Sequence, residues 1–373
     1  MTIETPGIHH VTAIAGDPQT NVDFYTDALG LRLVKRTVNF DDPTTYHLYY
    51  GDEVGRPGTI LTFFPFEGAR PGRAGTGQAR TVAFLVPPSS LDYWIDRFDE
   101  RGVEHEDPAS RFDERAVAFR DPDGLRLELV AHSAADAVEP WADGPVPAEH
   151  AVRGFFGVSL SLADGGPTAD LLRAMGFESV GEEGGRARYR ATDAAGVDAA
   201  DGGTVDDGAA DGDRAAVPGT VVDLAVDPDA PRGRVGVDAV HHVAFRAPDD
   251  ETQLAWREEL TDRGLGVTPV RDRQYFRSIY FREPGGVLFE IATDPPGFAL
   301  DEEVEALGAD LKLPPWLEDD RERLEARLPP IEAPTGGRAA TDGGEVASAD
   351  SGDPADPTDP VDPGGTEGGD ADE

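Results

Sequence analysis

IHHVTAIA at residues 8–15 decides how this chain is read, because it returns as VHHVAFRA at 240–247. Both are short runs rich in apolar and β-branched residues, the composition of a strand. Each is followed by the start of a helix. Behind the first, Asp17-Pro18 opens a stretch that runs through FYTDALG and stops at Gly30. Behind the second, Asp249 and Asp250 open ETQLAWREELTDRG, which stops at Gly264. The same order of parts occurs twice in between. TVAFLV leads through Ser89 and Ser90 to LDYWIDRFDERG, stopping at Gly102, and FFGVSLSL leads to TADLLRAMG, stopping at Gly176. Polar caps before a helix and glycine after it are the expected punctuation.

Each unit then closes on an apolar strand: TILTFFPF, LRLELV, TVVDLAV and VLFEIAT in turn. The second and fourth of these follow the turns DPDG at 121–124 and EPGG at 283–286. A βαβββ unit cannot cover its own sheet, so units must pair to bury one face. The spacing is too loose for a solenoid. The expected fold is α+β: four βαβββ modules paired into two cupped half-barrel units that enclose a cavity. Along the chain this gives a first two-module domain over 1–145 and a second over 146–317. Residues 318–373 are expected to add a short helical segment and then a tail.

Two stretches fall outside this repeat. From Ile331 to Glu373 the chain carries twelve acids and one arginine, Arg338, with almost no large apolar side chain. Such a segment cannot offset its ordering entropy and is expected to be a disordered acidic tail. Residues 191–218 are similarly acidic and small, and read as an insertion in a surface hairpin. The whole chain of 373 residues has 73 Asp+Glu against 33 Lys+Arg, a net charge of −40. Only Lys35 and Lys312 are lysines. Acid-rich, lysine-poor composition resembles proteins of halophiles, where the Debye length at molar salt is about 3 Å. Repulsion of phosphates argues against nucleic acid or anionic lipid as a partner. No apolar run is long enough for a membrane helix, and none precedes Pro6-Gly7 in the manner of a secretion signal. A soluble cytoplasmic protein, free to self-associate as a homo-oligomer, is expected.

The chain has no cysteine, which excludes thiolate nucleophiles, Fe–S clusters and Cys-ligated zinc. It has eight histidines, and four of them form two adjacent pairs, His9-His10 and His241-His242, at the same place in modules one and four. They meet if those two modules pair. Glu290 interrupts the apolar strand VLFEIAT, where an unpartnered charge is costly to bury. Two imidazoles and one carboxylate are the ligand set of a facial triad with open coordination positions. Strand alternation turns one histidine of each pair toward such a site, and periodicity does not choose which. Glu128 and Asp223 hold matching places in modules two and three, whose first strands lack histidine. One pair of modules is therefore expected to carry a site, and the other to be structural.

The repeat together with GIHHVT, DFYTDALGLRLVKRTVNFDD, YHLYYGDEVGRPGTILTFFPF, EHAVRGF, VHHVAF and PGGVLFE resembles the vicinal oxygen chelate superfamily. Within it, residues 3–317 look like ring-cleaving dioxygenases of the hydroquinone type. The resemblance implies Fe(2+) bound by the second His of each pair and the Glu, here His10, His242 and Glu290. It implies substrate-binding roles for His9 and Thr12 and catalytic roles for His241, Tyr280 and Arg273. The reaction implied takes a small hydroquinone- or catechol-like aromatic and O2. His241 and Tyr280 suit proton transfer; Arg273 suits a substrate anion. A surface ion pair for Arg273 and core packing for Tyr280 stay open from the residues alone. A glyoxalase-type isomerase on Zn²⁺ or Ni²⁺, or a metal-free binding protein of this fold, are the rival readings. The three protein ligands, against the four usual for glyoxalases, weigh against the first. Retention of both His pairs and Glu290 weighs against the second.

Overall fold

The computed structural model describes residues 3–192 and 218–332. Each of the four units folds as one strand, one helix and three strands. The first comprises β1 (Ile8–Ala15), α1 (Pro18–Asp23), β2 (Arg32–Asn39), β3 (Asp42–Gly51) and β4 (Ile60–Pro65). The second comprises β5 (Gln78–Val86), α2 (Leu91–Arg101), β6 (Ala109–Arg111), β7 (Glu114–Arg120) and β8 (Arg126–Ala131). The third is β9 (Phe155–Leu162), α3 (Gly166–Ala174), β10 (Phe177–Glu183), β11 (Arg186–Ala191) and β12 (Val221–Val226). The fourth is β13 (Ala239–Ala247), α4 (Asp250–Asp262), β14 (Arg271–Asp272), β15 (Arg277–Arg282) and β16 (Leu288–Thr293). A short helix, α5 (Arg321–Glu325), follows the last module. Most of the acidic insertion, 193–217, and the tail beyond 332 lie outside the described residues. Among those described, no helix is long and apolar enough to cross a membrane.

The modules pair across the chain rather than along it. Antiparallel pairing of β1 with β13 builds one eight-stranded sheet, β14-β15-β16-β13-β1-β4-β3-β2, from modules one and four. Pairing of β5 with β9 builds the other, β10-β11-β12-β9-β5-β8-β7-β6, from modules two and three. The boundary expected at 145/146 therefore separates successive modules, while each sheet draws one module from either side of it.

Cores lie on both faces of each sheet. The helix-side faces share one large apolar cluster in which Trp94 of α2 and Trp256 of α4 are fully buried. On the cupped side of the first sheet, Val34, Tyr49, Ala244, Phe276 and Phe298 form a second cluster. Ala83, Leu85, Val130 and Phe156 do the same in the second sheet.

The central strand pairs carry four β-bulges, and these position the site. In the β1/β13 ladder the register slips between Ile8 and His10, leaving His9 as an extra residue. It slips again between Val240 and His242, leaving His241 extra. The β5/β9 ladder slips at the matching places, where Arg80 and Phe156 are the extra residues. A bulge breaks strict alternation and re-aims the side chain next to it. The first histidine of each pair is thus the bulged residue, and the second keeps its place on the cupped face.

Candidate metal centre and its cavity

His10 on β1, His242 on β13 and Glu290 on β16 meet at the centre of the first sheet, on three adjacent strands. All three are buried, Glu290 completely. The Nε2 atoms of the two imidazoles are 3.3 Å apart, and they lie 3.4 and 2.9 Å from Oε2 of Glu290. Despite this proximity, Oε2 has no hydrogen-bond partner. A buried carboxylate oxygen without a donor is costly. Two nitrogens and one oxygen converging on a common point fit a divalent cation better than they fit one another. These residues suit a metal held on one face.

The bulged histidines fix the orientation of the His10 and His242 imidazoles. Nδ1 of His9 is 2.9 Å from Nδ1 of His10, and Nδ1 of His241 is 2.8 Å from Nδ1 of His242. An imidazole that binds a metal through Nε2 carries its proton on Nδ1, so with a metal bound the first His of each pair would accept and the second donate. Ser278 donates to Oε1 of Glu290, which fixes the carboxylate as well. Burial is the largest influence on Glu290 and opposes its charge, but His10 and His242 outweigh it and hold the carboxyl well below its usual range. Burial first, then His242, lowers His241 to about 3, so its imidazole is neutral near pH 7.

A cavity of about 300 Å³ opens beside the triad. His241, Arg273 and Tyr280 line it together with His10 and His242. Nε of Arg273 donates to the Tyr280 hydroxyl at 3.1 Å, and its Nη2 reaches Asp41 at 2.9 Å. The arginine thus spans from cavity wall to rim rather than lying on open surface. Burial, then Glu290, pushes the Tyr280 phenol up. His9 and Thr12 are not among the lining residues. His9 sits behind Phe276 (ring centroids 5.2 Å apart), and the Thr12 hydroxyl meets that of Thr62 at 2.9 Å.

Several cavity residues escaped the sequence reading. His47 and Tyr49 project from β3, and Phe276 packs on His10 with ring centroids 4.9 Å apart. The signal for the first two was present: His47 and Tyr49 are two apart in YHLYY, hence on one face of a strand. Ser278 carried no signal, because its role exists only through the pairing of β15 with β16, which sets it opposite Ala292, two residues from Glu290 on the same strand face.

Comparison with known proteins agrees with this fold. A profile of the glyoxalase/bleomycin resistance protein/dioxygenase superfamily matches residues 7–129 and 173–291. A Bacillus subtilis protein provisionally named the ring-cleaving dioxygenase MhqO is 47% identical over 346 residues, spanning 89% of this chain and 98% of its own. The chlorohydroquinone/hydroquinone 1,2-dioxygenase of Sphingobium indicum is 35% identical, over 85% of this chain and 94% of its own. A Bacillus subtilis crystal structure, provisionally titled a dioxygenase, superposes with a TM-score of 0.78 at 46% identity, covering 88% of this chain and 98% of that one. Glyoxalase I of Zea mays shares the fold, with a TM-score of 0.54 at 16% identity over 77% of this chain and 92% of its own. The chain belongs to the glyoxalase/bleomycin resistance/dioxygenase superfamily.

Proposed function

From membership of that superfamily, we propose that this chain is an Fe(II)-dependent ring-cleaving dioxygenase acting on a hydroquinone- or catechol-like aromatic, with both atoms of O2 entering the product. The observation that carries the reading is the convergence of His10, His242 and the unpartnered Oε2 of Glu290 at the wall of a cavity of about 300 Å³. That volume suits a single substituted ring. The names of the relatives at 35–47% identity point the same way.

His10, His242 and Glu290 would hold the ion, with His9, His241 and Ser278 fixing their orientation. Bound there, Fe(II) would supply electron transfer between the aromatic and O2. The protein's own work is binding and proton handling. With Nδ1 of His241 accepting from His242, its proton sits on Nε2, available to a ligand oxygen in the cavity that His241 lines. Arg273 carries a permanent positive charge beside Tyr280 and would hold a phenolate or a product carboxylate. Tyr280, kept protonated by burial, would donate to the same oxygens. Phe40, Phe64 and Phe276 give the aromatic an apolar bed and exclude water.

The test is metal analysis of anaerobically purified protein, with oxygen uptake on hydroquinone, catechol and a methylglyoxal–thiol adduct. Iron with uptake on a dihydroxybenzene is expected. Tightly held zinc or nickel with turnover of the thiol adduct alone overturns the proposal.

A further inference from the structure

A chain of hydrogen bonds runs from the centre of the first sheet into the cavity and touches none of the proposed metal ligands. The Thr12 and Thr62 hydroxyls are 2.9 Å apart, Thr62 Oγ1 is 2.8 Å from Nε2 of His47, and Nδ1 of His47 is 2.8 Å from the Tyr49 hydroxyl. The register places the members on three neighbouring strands: Thr12 opposite Thr62, and Thr62 opposite Tyr49. Thr12 and Thr62 are fully buried, and Tyr49 nearly so. His47 and Tyr49 form part of the cavity lining.

Such a chain can be protonated in two directions. In one, Tyr49 donates to His47, His47 to Thr62, and Thr62 to Thr12. Thr12 would then carry a hydroxyl proton with no acceptor, because Thr62 is its one partner among the described residues. A buried donor left unmade costs more than an ordinary hydrogen bond returns. In the other direction Thr12 donates to Thr62, Thr62 to Nε2 of His47, and the Nδ1–H of His47 to the Tyr49 oxygen. Every group behind the cavity wall is then satisfied. The one proton left over is that of the Tyr49 hydroxyl, at the cavity wall. Burial sets the direction, with Thr12 as its closed end.

We propose that Tyr49 is a further substrate-contacting residue of this site, a fixed hydrogen-bond donor to an oxygen of the bound aromatic, with Thr12, Thr62 and His47 as the positioning residues that set its polarity. This rests on the aromatic-substrate reading above. Burial pushes the Tyr49 phenol well up and the His47 imidazole well down, so both stay neutral as the relay requires. The His47 ring, 4.0 Å from that of Tyr49 and 4.3 Å from that of Phe64 between centroids, has no room to rotate away. Thr12 thereby acts on the ligand through three other side chains rather than by contact.

Two measurements test this on the metal-free full chain under nitrogen, where no turnover intervenes. The first is ¹⁵N NMR of histidine-labelled protein, with the His47 signals assigned by their loss in His47→Gln. Protonated Nδ1 and bare Nε2 are expected, and protonated Nε2 overturns the proposal. The second is calorimetric titration with hydroquinone. Tyr49→Phe is expected to weaken binding about tenfold, His47→Gln by a similar factor, and the double variant no further than either alone. Wild-type affinity in Tyr49→Phe, or additive losses, overturns it. Tenfold weakening by Tyr49→Phe, in a protein whose iron-loaded wild type consumes no oxygen with hydroquinone, would sink the dioxygenase reading and uphold this one.

Discussion

On the first strands of the four modules, equivalent positions are held by His10, Thr81, Gly157 and His242; on the closing strands they are held by Thr62, Glu128, Asp223 and Glu290. The register establishes this. Thr12 faces Thr62, Ala83 faces Glu128, Ser159 faces Asp223 and Ala244 faces Glu290, each first-strand partner lying two residues beyond the position in question. The bulges agree as well, with Arg80 where the other sheet has His241, and Phe156 where it has His9. Both cupped faces therefore bury carboxylates, and they differ in what answers them. In the first sheet Glu290 meets two imidazoles that leave Oε2 without a donor. In the second, Arg111 covers Glu128, while Arg188 reaches Glu114 at 2.5 Å and holds Asp223 at 2.7 and 2.9 Å. Arg188 pairs with Asp223 as Tyr49 pairs with Thr62, so an arginine fills the place of the cavity tyrosine. A buried carboxylate answered by a guanidinium is a finished ion pair. One whose outer oxygen receives no donor from the two imidazoles beside it is left open to a cation.

The sharpest way to break this comparison is to neutralise the two equivalent glutamates. Glu290→Gln is expected to reduce metal occupancy to background, and ring cleavage by more than the roughly 100-fold that loss of an outer-shell partner costs. Glu128→Gln is expected to leave both unchanged. Metal analysis and oxygen uptake on the two variants decide it. If Glu128→Gln stripped the metal, the division of labour between the sheets would be wrong.

Removing the guanidinium from the second sheet should give the next largest effect, on stability alone. Arg188 is fully buried, and Arg188→Met leaves Glu114 and Asp223 as unpaired buried carboxylates, costing about 3–5 kcal/mol. Both acids would then favour the protonated form, so the variant should recover stability relative to wild type as the pH falls. Urea unfolding at two pH values reads this. Adding Glu114→Gln and Asp223→Asn should restore most of the loss.

These contrasts mark what could be read from residues and what could not. Strand, helix and turn order were legible because caps, glycines and apolar runs are local signals. The triad was legible because paired histidines are rare and Glu290 stands among apolar neighbours. Two things were not. The bulges that put His9 and His241 beside their neighbours depend on how two strands slide against each other. The arginines that complete the second sheet look like any surface arginine until Arg188 is found buried. The pairing of modules one and four was inferred from chemistry, and the chain halves taken as domains obscured it.

A third test uses the turns that tie the modules together. Asp121 in DPDG accepts from the amides of Asp123 and Leu125 and from the Tyr25 hydroxyl of module one. Glu283 in EPGG does the same with Gly285, Val287 and the Thr168 hydroxyl of module three. Burial pushes Asp121 up to about 6 from 3.8. A raised carboxyl favours the folded state at pH values below the unfolded pKa, and the advantage fades as the pH climbs through the folded one. Stability of wild type relative to Asp121→Asn should therefore fall by about 2 kcal/mol between pH 4 and 7. Parallel thermal unfolding curves would show a flat difference instead and overturn the assignment.

The smallest effect separates the helices. Asp17 caps α1 by accepting from the amide of Thr20 at 2.7 Å, and Asp249 caps α4 in the same way through Thr252. In the other sheet Ser90 makes no capping bond to α2; its hydroxyl donates to the carbonyl of Glu149 instead. Asp17→Ala should thus cost about 1 kcal/mol at neutral pH. Its pH dependence should run opposite to that of Asp121. The Thr20 amide, foremost, holds the Asp17 carboxyl below its usual value, so its contribution is present above the carboxyl range and lost as the pH falls through it. The penalty of Asp17→Ala should accordingly shrink toward pH 3, whereas any penalty of Ser90→Ala should not change with pH. Unfolding of both variants at pH 7 and pH 3 distinguishes an ionised cap from a serine that only tethers a neighbouring loop.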